Sequence, residues 1–411
     1  MINILEKKDC CGCASCVQVC PKQCISMTED CEGFLYPKVD SAVCVDCGLC
    51  EKVCPIINQG YTIVPLVTYA AKNKDEKIRY KSSSGGVFTL IAEQILADGG
   101  VVFGARFNEN WVVIHDYAET VEGLEPFRGS KYVQSVIGDN YKYAKQFLLE
   151  GRKVLFSGTP CQIAGLKKFL RKEYENLLTV EVVCHGVPSP KVWKDYLQYR
   201  RAQHVVGKNT VPLSINELPG ITGISFRDKT NGWKKYGFKI CYAALKAAEN
   251  SVSKSANIDN CEITPFNEDI FMKGFLKNLY LRPSCYQCMA KQGKSGADIA
   301  IADYWGIQRI HQELDDDKGV NLVLINTQKG QTYFDAIAAT LTYTISDYRK
   351  AIANNPCIVK SVAEPSQRVQ FWREYESQGI ACINGICQSM IPSKFRVLFS
   401  RIVRKLKSFV R

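Results

Sequence analysis

Eight cysteines near the start of the chain fall into two copies of one spacing. Cys10, Cys13, Cys16 and Cys20 precede Pro21, and Cys44, Cys47, Cys50 and Cys54 precede Pro55, so each copy reads CxxCxxCxxxCP. Three thiolates at three-residue intervals can wrap a loop around one [4Fe–4S] cubane. The fourth cysteine sits a helical turn further on and, in two-cluster ferredoxins, ligates the other cluster. That rule assigns Cys10, Cys13, Cys16 and Cys54 to one cluster, and Cys44, Cys47, Cys50 and Cys20 to the second. Zinc sites use CxxC pairs rather than this triplet, and packing alone does not call for both trailing prolines. Cys11, Cys24 and Cys31 fall outside the pattern and are read as bystanders. Two adjacent clusters pass single electrons, so these residues make a wire.

A second set of cysteines is more dispersed. Cys161 lies in Gly158-Thr159-Pro160-Cys161-Gln162, Cys184 in Val183-Cys184-His185-Gly186, and Cys285 and Cys288 form a CxxC. Four thiolates from three segments can close a third cluster, and a zinc site, a redox dithiol or buried free thiols are the alternatives. Cys241, Cys261, Cys357, Cys382 and Cys387 fit no scheme and are expected to be core or surface thiols. Lys81-Ser82-Ser83-Ser84-Gly85-Gly86 stands directly before a helix. It reads either as a phosphate cradle of backbone amides or as a plain serine N-cap with a glycine turn. No GxGxxG follows the first strand of the body, so a standard Rossmann site is not indicated. His185 and Asp303 are the only acid–base candidates, both weak, and no catalytic residue is assigned.

These residues need elements to hold them. Phe34-Leu35-Tyr36-Pro37 and Val39 read as a small hairpin covering the clusters, and Gln59 to Leu66 as a linker. Strands are then expected over 67–70, 101–107, 153–156, 178–183, 299–302 and 322–325, with helices over 87–96, 141–149 and 162–170. A hairpin is expected over 224–227 and 236–241, and an exposed loop over 247–260. The pattern predicts an α+β / α/β chain: an N-terminal ferredoxin-like module followed by an α/β domain with a mixed sheet. The expected division is 1–58 for the two-cluster module, 59–345 for the α/β domain, 346–390 for a helical extension and 391–411 for a basic tail.

Composition narrows the setting. No apolar run approaches the roughly 20 residues of a membrane span, and Met1 to Asp9 lacks the apolar stretch of a secretory signal. A cytoplasmic protein is expected, and in a reducing compartment its 20 cysteines read as metal ligands rather than bridges. The net charge of +12 is concentrated at the end, where seven cations and no acid lie over 391–411. Phe395, Leu398, Phe399, Ile402, Leu406 and Phe409 share one helical face there. That is the pattern of a peripheral helix drawn to the anionic inner face of a membrane, or of a helix docked on the body. No zinc finger, helix-turn-helix or aromatic-basic stripe points to nucleic acid.

Six segments in one order carry a resemblance. They are SSSGGVF (82–88), GSKYVQS (129–135), GTPCQIAGL (158–166), VCHGVPSP (183–190), LRPSCYQC (281–288) and ADIAIADYWGI (297–307). Over about residues 1–326 the chain resembles the family of coenzyme F420 hydrogenase/dehydrogenase beta-subunit proteins with an N-terminal two-cluster module. The resemblance implies a flavoprotein with FAD near a [4Fe–4S] cluster, and makes Cys161, Cys184, Cys285 and Cys288 the third-cluster ligands. It makes Ser84, Gly85, Gly86, Ser130, Lys131, Gln134 and Ser135 the FAD contacts, and puts Asp303 near flavin or cluster. The expected function is an iron–sulfur flavoprotein oxidoreductase. It would relay electrons between a small-molecule hydride donor or acceptor, coenzyme F420 or another hydride carrier, and ferredoxin or another redox protein. The alternatives are a non-catalytic electron-transfer subunit, or a membrane-associated accessory of cell-surface polysaccharide assembly, which two-module bacterial forms resemble.

Overall fold

The computed structural model describes residues 1–206, 218–243 and 260–391. In chain order its strands are β1 (Ile25–Glu29), β2 (Leu35–Val39), β3 (Val67–Asn73), β4 (Val101–Phe107), β5 (Val113–Ala118), β6 (Val154–Gly158) and β7 (Leu177–Val182). They continue with β8 (Ile221–Asp228), β9 (Gly237–Tyr242), β10 (Asn260–Pro265), β11 (Ile299–Asp303), β12 (Asn321–Ile325) and β13 (Leu341–Ile345). An eight-stranded mixed sheet has the order β13-β3-β12-β11-β7-β6-β4-β5. Its centre, β11-β7-β6-β4, is parallel, and the flanking pairings are antiparallel. Val101, Val102 and Phe103 of β4 and all of β6 and β12 are buried. Strands covered on both faces read as continuous apolar runs rather than alternations, which is why these were visible in the sequence.

Helices cover both faces. The ones that matter here are α1 (Ser15–Val19), α2 (Leu49–Lys52), α3 (Glu76–Lys81), α4 (Val87–Ala97), α5 (Asn140–Leu149), α6 (Pro160–Leu170) and α7 (Pro190–Val206). Val87, Ile91 and Ile95 of α4 pack on one face of the sheet, with Leu155, Val180 and Val323. Tyr141 and Leu148 of α5, with Ile163, Leu166 and Phe169 of α6, pack on the other. A three-stranded antiparallel sheet, β10-β9-β8, stands beside this body. An aromatic core that includes Trp193 and Tyr196 of α7, Phe226, Phe238 and Phe271 fills the space against it.

The N-terminal segment is a hairpin and two short helices. β1 and β2 pair from Ile25↔Val39 to Glu29↔Leu35. The segment is seated on the body by several polar contacts. Ser15 Oγ donates to Gly165 O at 2.9 Å, Tyr141 N donates to Gln18 Oε1 at 3.0 Å, and Arg368 pairs with Glu32. The expected linker is strapped down: Ile63 N donates to Gln292 O at 2.9 Å and Leu66 N to Ile325 O at 2.7 Å.

Several elements went unread in the sequence. β5 and β13 are edge strands with partly exposed faces, so their apolar signal is thin. α7 buries Val192, Trp193, Tyr196 and Leu197 through a narrow stripe in an otherwise polar segment. Residue 260 begins β10, so the expected loop ends sooner than read, and 247–259 lie outside the described residues. The expectation of free thiols is corrected at Cys241 and Cys261, which face each other across β9 and β10 and are joined by a disulfide. The 391–411 tail lies outside the described residues apart from Ile391, and no described helix is long and apolar enough to cross a membrane.

One packing constraint governs the approach of α4 to the sheet. A Cβ at Gly85 would meet Ala71 O at 2.6 Å and Asn321 N at 2.7 Å, backbone atoms of β3 and β12 that cannot rotate away. Gly85→Ala is expected to cost about 2 kcal/mol of stability, read as a lower midpoint in thermal unfolding followed by circular dichroism.

Candidate functional site

Each cysteine repeat builds the same backbone shape. Gly12 and Ala14 in the first copy, and Asp46 and Gly48 in the second, all take left-handed conformations. The loops close on α1 and α2, which begin at those left-handed caps. Cys10, Cys13, Cys16 and Cys54 then line one small cavity, and Cys20, Cys44, Cys47 and Cys50 line another. Burial raises the Cys16 thiol, and nearby Cys13, Cys10 and Cys54 add to the shift. In the second set Ile2 N donates to Cys50 Sγ at 3.2 Å and Asp46 N to Cys44 Sγ at 3.4 Å. Cys13 is buried whereas Cys47 is exposed, so the first set is an inner group and the second an outer one.

Cys161, Cys184, Cys285 and Cys288 come together from three segments. Thr159 caps α6 in a capping box with Gln162, with Pro160 at the first helical position. That cap puts Cys161 on the opening turn, where unpaired amides favour a thiolate. Cys184 follows β7, and burial raises it well above an ordinary thiol against the opposing charge of Lys291, with Cys285, Cys161 and Cys288 nearby. Burial likewise pushes Cys285 up to about 12, and Val187 N donates to its Sγ at 3.4 Å. Cys11, read as a bystander, sits between this third group and the inner one. Neighbouring Cys13 and Cys161 raise its pKa, and Cys11 in turn lowers theirs. Among the described residues no three His, Cys, Asp or Glu side chains converge tightly enough for a single metal ion. All-cysteine donor sets of this kind suit a cluster that spreads its ligands over four irons.

Beside the third group, at the carboxyl ends of β4, β6, β7 and β11, lies a cavity of about 530 Å³. Ligands favour this end of a parallel sheet, and the volume is that of a cofactor site. Cys184 and His185 stand in its wall, so cavity and third group share a boundary. Ser84 and Gly86 line it, as do Ser130, Lys131 and Ser135. The N-cap of α4 is Gly86 and the first helical amide, Val87 N, donates to Asn321 Oδ1 at 3.2 Å, so the serine-cap alternative is not what forms. The helix start faces the cavity as an amide-rich end suited to phosphate.

Several expected contacts are engaged elsewhere. Ser84 Oγ donates to Val320 O at 2.9 Å, and Lys131 Nζ donates to Pro126 O at 2.6 Å and Arg128 O at 2.9 Å. Burial pushes the Lys131 ammonium down to about 7. Gly85 and Gln134 lie outside the cavity. Gly85 is where the sheet backbone touches, and Gln134 bonds Cys11 O at 3.1 Å and Arg282 at 2.9 Å. Asp303 reaches the cavity with both oxygens occupied, accepting from Arg227 at 2.9 Å and Trp233 at 3.2 Å. His185 Nε2 donates to Asn278 Oδ1 at 2.6 Å, and its Nδ1 lies 3.7 Å from Cys357 Sγ, which also lines the cavity.

Other lining residues gave no local signal in the sequence. Arg227 stacks 3.9 Å from the Tyr236 ring centre and 5.2 Å from that of Trp305, on a hairpin remote in sequence from every quoted motif. His115 sits on edge strand β5, with Nδ1 2.9 Å from Ser135 Oγ and Nε2 3.1 Å from Ser157 O. Gln162 Nε2 donates to the same Ser135 at 2.8 Å, so Ser135 anchors a buried network rather than standing free.

Comparison with known proteins gives concordant matches. Residues 68–138 match the family model of the coenzyme F420 hydrogenase/dehydrogenase beta subunit N-terminal part, and 151–351 match that of its C terminus. A coenzyme F420-dependent sulfite reductase of Methanocaldococcus jannaschii is 27% identical over 260 residues, 58% of this chain and 40% of that protein. The F420H2 dehydrogenase of Methanosarcina mazei contains a subunit that is 26% identical over 210 residues, 46% of this chain and 58% of the relative. The chain thus spans well under two thirds of either. A seven-iron ferredoxin of Hydrogenibacillus schlegelii is 42% identical over 65 residues, 15% of this chain and 77% of the ferredoxin. A chain of the F420-reducing [NiFe] hydrogenase complex of Methanosarcina barkeri aligns with a TM-score of 0.44 at 16% identity, covering 72% of this chain and 89% of that one. These relatives are named for redox chemistry, not polysaccharide assembly.

His115 supplies a pH test. Burial pushes its imidazole from 6.5 down to about 4, so the folded chain keeps it neutral. Above pH 6.5 both folded and unfolded states are neutral there and the stabilisation is complete. Between 6.5 and 4 only the unfolded chain takes the proton, so stability falls as pH falls, by about 3 kcal/mol once below 4. His115→Gln is expected to flatten that part of the pH–stability curve, measured by denaturant unfolding from pH 7 to 4.

Proposed function

Because the chain belongs to the family of coenzyme F420 hydrogenase/dehydrogenase beta-subunit proteins, we propose that it is an iron–sulfur flavoprotein oxidoreductase joining a two-electron carrier to one-electron carriers. In this reading the cavity takes FAD beside a small-molecule hydride donor or acceptor of the coenzyme F420 class. The outer cysteine group faces ferredoxin or another redox protein. The observation that carries it is one continuous line. The cavity wall contains Cys184, Cys161 and Cys288 pack against one apolar cluster, and Gly165 of α6, the helix that carries Cys161, lies against Cys13 of the inner group. The inner and outer groups share one apolar core in which Ile2 and Ile25 are buried beside Cys16, Cys20, Cys44 and Cys54.

When bound, a flavin supplies two-electron chemistry and [4Fe–4S] clusters supply one-electron chemistry. The protein's own residues do the holding. Cys10, Cys13, Cys16 and Cys54 would hold one cluster, Cys20, Cys44, Cys47 and Cys50 the next, and Cys161, Cys184, Cys285 and Cys288 the third. Ser84, Gly86 and the start of α4 would receive a pyrophosphate, with Ser130 and Lys131 on the adjoining loop. Neutral His115, fixed through Ser135 and Gln162, presents a dipole rather than a charge to the cavity floor. Trp305 and Tyr236 add aromatic walls to it. A relative named as a dehydrogenase subunit favours a second version, in which the hydride chemistry is completed on a partner protein.

Anaerobic purification with iron, acid-labile sulfide and flavin assays on one sample tests this. About twelve iron and one FAD per chain are expected. Cys184→Ser is expected to lose about four iron. About eight iron and no flavin in the unaltered chain would reduce it to a two-cluster carrier, and turnover seen only with a partner would select the second version.

A further inference from the structure

Arg282 occupies the seam between the inner cysteine group and the body. It is fully buried, at 0% exposure. Its Nε donates to Cys10 O at 2.7 Å, its Nη1 to Gln134 Oε1 at 2.9 Å, and its Nη2 to Leu35 O at 2.9 Å. Nη2 also lies 3.5 Å from Cys10 Sγ. The guanidinium stacks 4.3 Å from the Tyr36 ring centre and 5.4 Å from that of Phe34. Each oxygen acceptor is neutral, and among the described residues no carboxylate pairs with it. A buried cation without a counter-charge is strongly unfavourable, so the fold must provide negative charge nearby. The sulfur of Cys10, 3.5 Å from Nη2, is where a bound cluster would place such charge.

The first cysteine loop is shaped to admit this cation. A Cβ at Gly12 would lie 2.8 Å from Arg282 Nη1 and 2.7 Å from Gln134 Nε2. At the matching place in the second copy stands Asp46, an acidic and exposed residue. Asp46 is paired with the Met1 ammonium at 2.8 Å, so two loops of one backbone shape differ in the charge beside them: a buried cation with no carboxylate partner at the inner group, an exposed ion pair at the outer.

We propose that Arg282 is the counter-charge of the Cys10/Cys13/Cys16/Cys54 group and holds its reduction potential above that of the outer group. The inference rests on the cluster reading given above. Reduction adds one negative charge to a cluster, and a fixed cation at hydrogen-bonding distance from a ligand sulfur favours that state. Arg282 is thus a positioning and tuning residue, not a catalytic one, and Gln134 orients it.

The test is an EPR-monitored redox titration of the anaerobically purified full chain, with iron counted on each sample. In Arg282→Met, the reduction equilibrium of at least one cluster is expected to become about tenfold less favourable, a fall of about 59 mV for one electron, while at least one other stays put. Gln134→Glu, nearly isosteric, would place a carboxylate against the guanidinium and is expected to lower the same midpoint. Arg282→Lys, which keeps the charge, is expected to stay near the unaltered value. If Arg282→Met does not load iron, the Gln134→Glu and Arg282→Lys pair decides. Full iron with unmoved midpoints in Gln134→Glu, or an Arg282→Lys shift as large as that of Arg282→Met, would overturn the proposal. Absence of iron from the unaltered chain would instead overturn the cluster reading, and this inference with it.

Discussion

A guanidinium with neutral oxygen partners on every side sits where the cysteine-rich N-terminal segment meets the α/β body. Arg282 binds the backbone of Cys10 and Leu35 in that segment and Gln134 in the body, so one side chain joins the first cysteine loop and the hairpin to the body. A buried cation of this kind is costly without negative charge nearby. The glycine at position 12 leaves room for it, since a Cβ there would lie 2.8 Å from Arg282 Nη1. Contacts farther out, such as Arg368 with Glu32 and Ser15 with Gly165, fix the orientation of the segment without bearing on its charge.

The rest of the site is arranged by ordinary secondary-structure physics. Parallel strands end at one edge, and the turns that leave them carry Thr159, Cys184 and Asp303 to the same opening. The α6 capping box places Cys161 on the first turn, and Gly86 with Asn321 Oδ1 at the start of α4 gives the cavity a polar rim. Burial then lowers the pKa of His115 and raises those of Cys184 and Cys285. Thiols raised in this way must release protons on metal binding, so cluster assembly and pH are coupled.

Local chemistry was the part of this protein legible in its sequence. The doubled CxxCxxCxxxCP is self-contained, and its two groups line two cavities, which Cys11 and Cys24 also border. Buried strands such as β4 and β12 announced themselves as apolar runs. Relations between distant residues were not legible. Cys11 looked idle because its neighbour Cys161 is 150 positions away in sequence. Arg282 was part of a quoted motif, but its role depends on Cys10, 272 positions away. Gln134 shares a motif with the cavity-lining Ser135, yet successive residues of an extended segment point to opposite sides, and it faces the seam. The Cys241–Cys261 bridge needed the β9–β10 register to be seen.

The most direct measurement is anomalous diffraction at the iron edge from anaerobically grown crystals of the full chain. The account predicts three separate iron centres, bordered by Cys161/Cys184/Cys285/Cys288, by Cys10/Cys13/Cys16/Cys54 and by Cys20/Cys44/Cys47/Cys50, with flavin density in the cavity that Cys184 borders. Iron confined to the two N-terminal groups, with no centre at Cys184, would contradict a continuous line from cavity to surface.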